Sequence, residues 1–151
     1  MLVREIKSEN LAACGDLYSR VFSGPPWSEN WSKEKALERL AHFYNSEGFV
    51  GLLSENNNVH AFVLGNTEPF VDGDWFYLRE MCVDKELQGQ GVGSMLLDEL
   101  KKRLVSLSVK NIYLATERDF PAASFYEKND FLPENKMAFY YKELRYENNE
   151  L

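Results

Sequence analysis

Apolar residues alternate with polar ones, or recur every three to four positions, along most of the chain. Alternating runs predict strands, and the longer spacing predicts amphipathic helices. The predicted strands cover residues 2–6, 49–53, 59–64, 75–83, 111–116, a segment from Phe131 onward, and 137–144. The predicted helices cover about 10–22, a stretch after Ser32 that holds Leu37 and Tyr44, the stretch from Val92 to Leu104, and 122–129.

Several of these boundaries have local causes. The run Gly24-Pro25-Pro26 ends the first helix, because proline cannot continue one, and Ser32 is a favourable N-cap for the second. The polar residues 55–58 predict a hairpin turn. A helix between strands 75–83 and 111–116 implies a crossover that leaves these two strands parallel. We therefore expect one domain over residues 1–151, an α/β fold with a mixed, partly parallel, twisted sheet of about six to seven strands and helices on both faces.

Composition narrows the class of protein. With 44% apolar and 27% charged residues, the 151-residue chain can bury a core unaided. The 24 acidic residues exceed the 17 basic ones, and the net charge of -7 disfavours nucleic acid. The same charge would attract a cationic amine, although solubility alone also explains it.

The sequence also allows predictions about the protein's cellular location and about metal binding. It has no apolar run long enough to cross a bilayer, and residues 1–5 lack the order of a secretory signal, so a cytoplasmic protein without a membrane partner is expected. Cys14 and Cys82 lie far apart and are expected to be reduced, buried thiols. With only two histidines besides, no metal site is expected.

One segment between a predicted strand and a predicted helix is rich in glycine: Gln88-Gly89-Gln90-Gly91-Val92-Gly93. Glycines let a backbone turn tightly and approach a ligand closely. The amides from Gly89 to Ser94 would lie at a helix N-terminus, where free N–H groups and the helix dipole favour a phosphate. The alternative is a turn that only connects the strand to the helix.

Two other nucleotide-binding motifs are excluded by spacing. A dinucleotide fingerprint requires glycine where this chain has Ser94, and an acidic residue where it has Tyr113. A P-loop requires Gly-Lys-Ser/Thr at the start of the helix, and the segment has none.

The segment resembles the Gln/Arg-x-x-Gly-x-Gly/Ala motif of the GNAT acetyltransferase superfamily. Residues 80–84 resemble the strand before that motif, and residues 122–131, with Phe125-Tyr126-Glu127-Lys128, resemble its later helix. The likeness is to the members that acetylate small amines, such as aminoglycosides and polyamines. The chain departs from the pattern at Asp130, where glycine is common, and at Asp119, where asparagine is frequent.

This resemblance implies the GNAT fold and direct transfer of an acetyl group from acetyl-CoA to an amine. Tyr126 would be the acid that protonates the leaving thiolate; the alternative is a packed aromatic residue whose hydroxyl has a structural partner. A backbone amide near Cys82 would stabilise the oxyanion, on a strand that separates from the next one. The implied cofactor contacts are Met81, Cys82, Val83, Gln88, Gly89, Gln90, Gly91, Val92, Gly93, Ser94, Asp119, Ala122 and Phe125.

Glu80 is the candidate general base, and it is also expected to contact the substrate that accepts the acetyl group. Strand alternation predicts that it shares a face with Phe76, Leu78 and Cys82. A carboxylate held in a salt bridge by a nearby arginine or lysine is an equal alternative. Glu68, Asp72 and Asp74 are further candidates.

The acceptor site is expected near Trp27 and Trp31, between the first two helices, where aromatic rings suit a cationic amine. A hydrophobic plug is the slightly favoured alternative. Polyamines, aminoglycosides and amino-terminal peptides all fit, and a homodimer stays open. A non-catalytic acyl-CoA sensor of the same fold and a peptide or protein N-acetyltransferase are the alternative functions.

Overall fold

The structure is a computed structural model that describes residues 1–146. Residues 147–151, which the predicted domain also included, lie outside the described residues. The helices and strands follow the predicted order as far as residue 128. Their bounds are β1 Leu2–Glu5, α1 Leu11–Phe22, α2 Lys33–Tyr44, β2 Phe49–Asn56, β3 Asn58–Glu68, β4 Trp75–Val83, α3 Val92–Ser106, β5 Asn111–Tyr113 and α4 Pro121–Lys128.

The five strands form one mixed sheet in the order β1-β2-β3-β4-β5. The first four are antiparallel neighbours, and β5 is parallel to β4 after the α3 crossover. The β2–β3 hairpin turns at Asn57, whose φ of 70° is a left-handed conformation that asparagine tolerates. Ser32 caps α2, where its hydroxyl accepts from the Lys35 amide at 3.0 Å. The predicted mixed α/β class is confirmed.

Helices cover both faces of this sheet, as predicted. On one face α1 and α2 pack over Leu53, Phe62 and Leu64. On the other face α3 packs over Ala61 and Val63, with side chains of α4 beside it. Consecutive strand residues enter opposite cores because strand side chains alternate between faces. Each core therefore depends on the same two central strands, β2 and β3.

The predicted alternation along β4 is wrong after Leu78. Leu64 of β3 faces Glu80 and Gly65 faces Leu78, so Arg79 is an extra residue in β4. A β-bulge of this kind shifts the pattern by one position. Phe76 and Leu78 therefore pack with α3, whereas Glu80 and Cys82 lie on the face of α1 and α2.

The strands predicted after α4 are absent from the described residues. Residues 132–146 have no regular secondary structure, so the sheet has five strands rather than six or seven. The strand predicted over residues 111–116 is also shorter, since β5 ends at Tyr113. A strand needs a neighbour for its backbone hydrogen bonds. The segment after α4 has a strand-like pattern but lies on no sheet edge of this chain.

Two leucines of α2 provide a matched test of the core. Leu40 is fully buried against α1, whereas Leu37 is 37% exposed. We expect Leu40→Ala to lower the free energy of unfolding by about 2–5 kcal/mol, because it leaves a cavity. Leu37→Ala should cost about 1 kcal/mol or less. Urea unfolding followed by circular dichroism measures both, and equal losses would contradict the described packing of α2.

Candidate active site

The glycine segment forms an open turn between β4 and α3. A short 3₁₀ turn, Lys85–Leu87, follows β4, and α3 begins at Val92. Gly89 and Gly91 have φ angles of 79° and 84°, which favour glycine because a side chain is strained there. The Gln88 side-chain amide donates to the Val83 carbonyl at 3.0 Å and ties the turn to the end of β4.

The start of α3 presents backbone donors that the helix does not use. Its first helical hydrogen bond runs from the Met95 amide to the Gly91 carbonyl at 3.0 Å. The amides of Val92, Gly93 and Ser94 precede it and have no acceptor one turn earlier within the helix. A Cβ at Gly89 or Gly91 would meet no atom within 4 Å, so the turn is open above both residues. Open space beside free amides at a helix N-terminus fits a pyrophosphate.

Gly93 has a different role from the other two glycines. A Cβ at this position would lie 2.9 Å from a ring carbon of Phe125 and 3.4 Å from the terminal methyl of Met81. The absent side chain therefore allows α3 to pack directly against α4 and β4. At Gly93 the missing side chain serves packing, and its backbone amide still lies at the start of α3.

The strands β4 and β5 separate beside this turn. They pair only from Trp75 to Tyr77 on β4 and from Asn111 to Tyr113 on β5. Beyond that point, β4 continues to Val83 with no ladder on its β5 side among the described residues. Backbone groups near Met81 and Cys82 are therefore free to bind a ligand that lies in the gap. The predicted separation of the two strands is observed.

Glu80 lies on the buried face of β4, where two side chains contact it. Its Oε1 accepts from the Arg39 Nε at 2.6 Å and from the Tyr18 hydroxyl at 3.2 Å. Burial raises the pKa of Glu80 above its usual range, and the charge of Arg39 partly opposes that rise. The alternative of a salt-bridged carboxylate is the observed state. Both contacts use Oε1, so within the described residues Oε2 has no hydrogen-bond partner.

Tyr126 lies on α4 in an aromatic setting. Its ring packs edge-on against Phe125 and Phe131, with ring centroids 5.3 and 5.4 Å away. Burial raises the pKa of the Tyr126 hydroxyl above its usual value, and the negative charge of Glu80 adds to the rise. The hydroxyl is therefore protonated at neutral pH, and the same burial makes it a weaker acid than a phenol in water.

The two tryptophans join an aromatic cluster at the end of α1. Trp31 packs edge-on against Tyr18 with centroids 5.0 Å apart, and Trp27 packs against Phe22 at 4.7 Å. Trp27 also reaches Phe120, next to α4, at 6.4 Å. These contacts support the interpretation of a hydrophobic plug. Trp31 thus packs on Tyr18, a partner of Glu80, whereas Trp27 packs on the residue that precedes α4.

The other predicted carboxylates do not come together with Glu80. Glu68 accepts a hydrogen bond from the Tyr113 hydroxyl, and Asp72 and Asp74 are exposed in the connection before β4. Asp119 is exposed just before α4, whereas Ala122 is half-buried within it.

Two residues of this site, Tyr18 and Arg39, were missed from sequence. Arg39 contacts Glu80 and also lies 5.0 Å from the ring centroid of Phe43, in a cation–π arrangement. Tyr18 and Arg39 precede Glu80 by 62 and 41 positions. Neither carries a local motif, and only the approach of α1 and α2 to β4 brings them to Glu80.

Two negative findings concern the residues that the structure describes. Over residues 1–146, no group of three or more histidine, cysteine, aspartate or glutamate side chains is arranged to hold a metal ion. None of the helices in this range has the length and apolar character needed to cross a membrane.

Comparison with known proteins gives a match to a family and matches to curated relatives. The model of the acetyltransferase (GNAT) family matches residues 11–131. N-alpha-acetyltransferase 60 of Danio rerio is 28% identical over 139 residues, which is 85% of this chain. The chain spans only 56% of the length of that relative.

Solved structures share the fold at low sequence identity. A possible acetyltransferase from Clostridium difficile 630 has a TM-score of 0.79 at 14% identity, and covers 95% of this chain and 98% of its own. An aminoglycoside acetyltransferase from an uncultured soil metagenomic sample, in complex with sisomicin, has a TM-score of 0.76 at 17% identity, with 95% and 96% covered.

Both cysteines should be unreactive in the folded protein. Cys14 and Cys82 are free and buried. Burial raises the pKa of Cys14 to about 12, and it raises that of Cys82 well above its ordinary value. Since the thiolate is the reactive form, we expect well below one thiol per chain to react with a disulfide reagent at pH 8, and both after unfolding. Rapid native labelling of Cys82 would contradict this.

Proposed function

Because this chain belongs to the GNAT acetyltransferase family, we propose that it transfers the acetyl group of acetyl-CoA to a primary amine. The observation that carries the proposal is the open turn at the N-terminus of α3, which lies directly beside the gap between β4 and β5. One feature offers donors for a pyrophosphate, and the other offers free backbone groups for an extended arm. CoA has both parts.

The binding residues follow from this arrangement. The amides from Gly89 to Ser94 would hold the pyrophosphate, with the positive end of the α3 dipole behind them. Backbone groups of Met81, Cys82 and Val83 that face the gap would hold the pantetheine arm. Gln88 would keep the turn in place through its bond to the Val83 carbonyl. Phe125 and Ala122 would line the α4 side, and exposed Asp119 is a poor neighbour for an anionic ligand.

The reaction needs an oxyanion donor and an acid. When bound, acetyl-CoA supplies an activated acetyl thioester. A backbone amide near Cys82 would donate a hydrogen bond to the thioester carbonyl oxygen as it gains charge. The Tyr126 hydroxyl, kept protonated by its burial, would give its proton to the departing sulfur. Cys82 itself takes no covalent part, because burial keeps its thiol protonated.

Glu80 is our proposed acceptor for the amine proton. Its Oε2 is unused by Arg39 and Tyr18, and it can receive the proton directly or through a water molecule. The Arg39 charge limits the basicity of Glu80, so the carboxylate acts best on an amine that is already partly deprotonated. Arg39 and Tyr18 would hold the carboxylate in position.

For the acceptor we propose a small cationic amine, with polyamines and aminoglycosides as candidates. The acidic surface, the rings of Trp27 and Trp31, and Glu29, which accepts from the Trp31 indole at 3.0 Å, support this choice. An amino-terminal peptide is the second candidate. The 28% identity to an N-alpha-acetyltransferase, which exceeds the identity to the solved aminoglycoside enzyme, favours it.

Loss of the Tyr126 hydroxyl tests the reaction itself. We expect Tyr126→Phe to lower kcat on the order of 10²-fold or more while CoA affinity stays unchanged, because only the proton donor is removed. The measurement is thiol release from acetyl-CoA with panels of polyamines, aminoglycosides and short peptides. Tyr44→Phe, in a half-buried ring that packs on Phe49, is the matched control and should leave turnover unchanged.

The amine panel also separates the alternatives. Turnover with peptides alone would replace the small-amine proposal by amino-terminal acetylation. Tight CoA binding without turnover on any amine would point to a non-catalytic sensor.

Substitution of Gly91 tests the phosphate site. Gly91→Val strains the left-handed backbone by roughly 1–2 kcal/mol and places methyl groups over the open turn. We expect CoA affinity, measured by calorimetry, to fall by about tenfold or more, equal to about 1.4 kcal/mol.

The control is Gly73→Val. Gly73 also has a positive φ, of 138°, and it lies in the connection before β4. An added Cβ there would meet the flexible Lys110 side chain. This variant should bind CoA normally. Normal binding by folded Gly91→Val would show that the turn holds no phosphate.

A further inference from the structure

Arg79, the extra residue of the bulge in β4, carries a charge that has no protein partner. Over residues 1–146 its guanidinium forms no ion pair and no side-chain hydrogen bond, whereas five of the chain's seven arginines are paired with a carboxylate. The side chain is exposed. A guanidinium has five N–H donors, and those of Arg79 are therefore available to a ligand.

Two aromatic rings hold this guanidinium in place. Its central carbon lies 4.0 Å from the ring centroid of Tyr77 and 5.4 Å from that of Phe43. Both contacts have the geometry of a cation–π interaction, which stabilises one position of a long side chain. A side chain that is already ordered loses less entropy when a ligand binds to it. Arg79 is therefore a preorganised donor for a planar anion.

The guanidinium lies at the closed end of the gap between β4 and β5. Tyr77 is the last residue of β4 that pairs with β5, and Arg79 lies over its ring. Glu80 is the next residue, and its partner Arg39 lies 5.0 Å from the centroid of the same Phe43 ring. In the proposed complex the pantetheine arm extends from the glycine turn toward this end. The thioester would then lie near Glu80, and an acceptor would approach it past Arg79.

We propose that Arg79 determines specificity by binding a carboxylate of the acceptor, so that the substrate is an amine that also carries a carboxylate. This inference rests on the proposed function and narrows its acceptor. The amine group would meet Glu80, and the carboxylate would meet Arg79. Two sources have this chemistry, the α-carboxylate of a free amino acid and an acidic side chain next to the amino terminus of a peptide. Polyamines and aminoglycosides lack a carboxylate and would leave Arg79 unpaired.

The charge of the whole chain makes a local contact necessary for such a substrate. At a net charge of -7 the protein repels an anionic group at long range. The guanidiniums of Arg39 and Arg79, both next to the Phe43 ring, make this part of the site locally positive, and Arg39 is already paired with Glu80. The planar fork of Arg79 matches a carboxylate and forms charge-assisted hydrogen bonds that a neutral amide does not form.

The test compares acceptors that differ in one carboxylate. Thiol release from acetyl-CoA is measured with two peptides whose second residue is glutamate or glutamine, and with alanine against alaninamide. Salt at about 0.15 M screens the long-range charge of the protein. In one of the two pairs, kcat/KM should be about tenfold or more higher for the member with the carboxylate. The pair that shows the preference identifies the source of the carboxylate.

Variants of Arg79 connect the preference to its guanidinium. Arg79→Gln should remove the preference by raising KM for the carboxylate substrate, while kcat/KM for the neutral analogue and CoA affinity stay unchanged. Arg79→Lys keeps the charge but not the planar fork, and it should retain only part of the preference. The control is Arg103→Gln on α3, which removes an exposed arginine that pairs with Glu5 on the other face of the sheet. It should keep the full preference.

The outcomes separate this inference from the function on which it rests. Acetylation of amines with equal kcat/KM in both pairs, turnover with polyamines alone, or a preference that Arg79→Gln leaves intact would overturn the role of Arg79 and leave acetyl transfer standing. Absence of thiol release with every amine would refute the proposed function, and the acceptor inference with it.

Discussion

The hydrogen-bond ladder between β4 and β5 stops at Tyr77 and Tyr113, and the arrangement of the site depends on this interruption. Parallel strands normally stay paired because buried backbone groups need partners. Here α3 connects the two strands across the gap, and its N-terminus opens at the wider end. The divergence thus places unpaired strand backbone beside the free amides at the start of α3. It also leaves β5 short and its outer edge exposed.

The β-bulge at Arg79 decides which face of the sheet Glu80 lies on. Without the extra residue Glu80 would face α3, among the leucines of the second core, where an ionised carboxylate is costly. With it, Glu80 meets Arg39 and Tyr18 on the opposite face. The ion pair offsets part of the cost of burying the carboxylate, and it fixes α2 against β4. The same contact therefore contributes to packing and to the chemistry proposed for Glu80.

Sequence predicted the features that depend on local pattern. The helix stop at Gly24-Pro25-Pro26, the Ser32 cap, the hairpin and the glycine turn all follow from residues within a few positions of each other. Contacts between distant elements were not predictable in this way. The bulge appears only in the register between β3 and β4, and Arg39 reaches Glu80 only through tertiary packing. The segment 137–144 shows the limit most clearly, because its pattern predicts a strand and the structure describes none there.

The contact between Gly93 and Phe125 sets the distance between α3 and α4. The glycine turn leads into α3, whereas Tyr126 lies on α4, and the two helices meet where Gly93 contacts the ring of Phe125. On the α3 side, Gly93 presents only a hydrogen atom to α4 instead of a side chain. Even one methyl group would meet that ring at 2.9 Å and move one helix relative to the other. The contact thus sets the distance between the proposed cofactor site and the proposed proton donor, and reacting groups tolerate little error in such a distance.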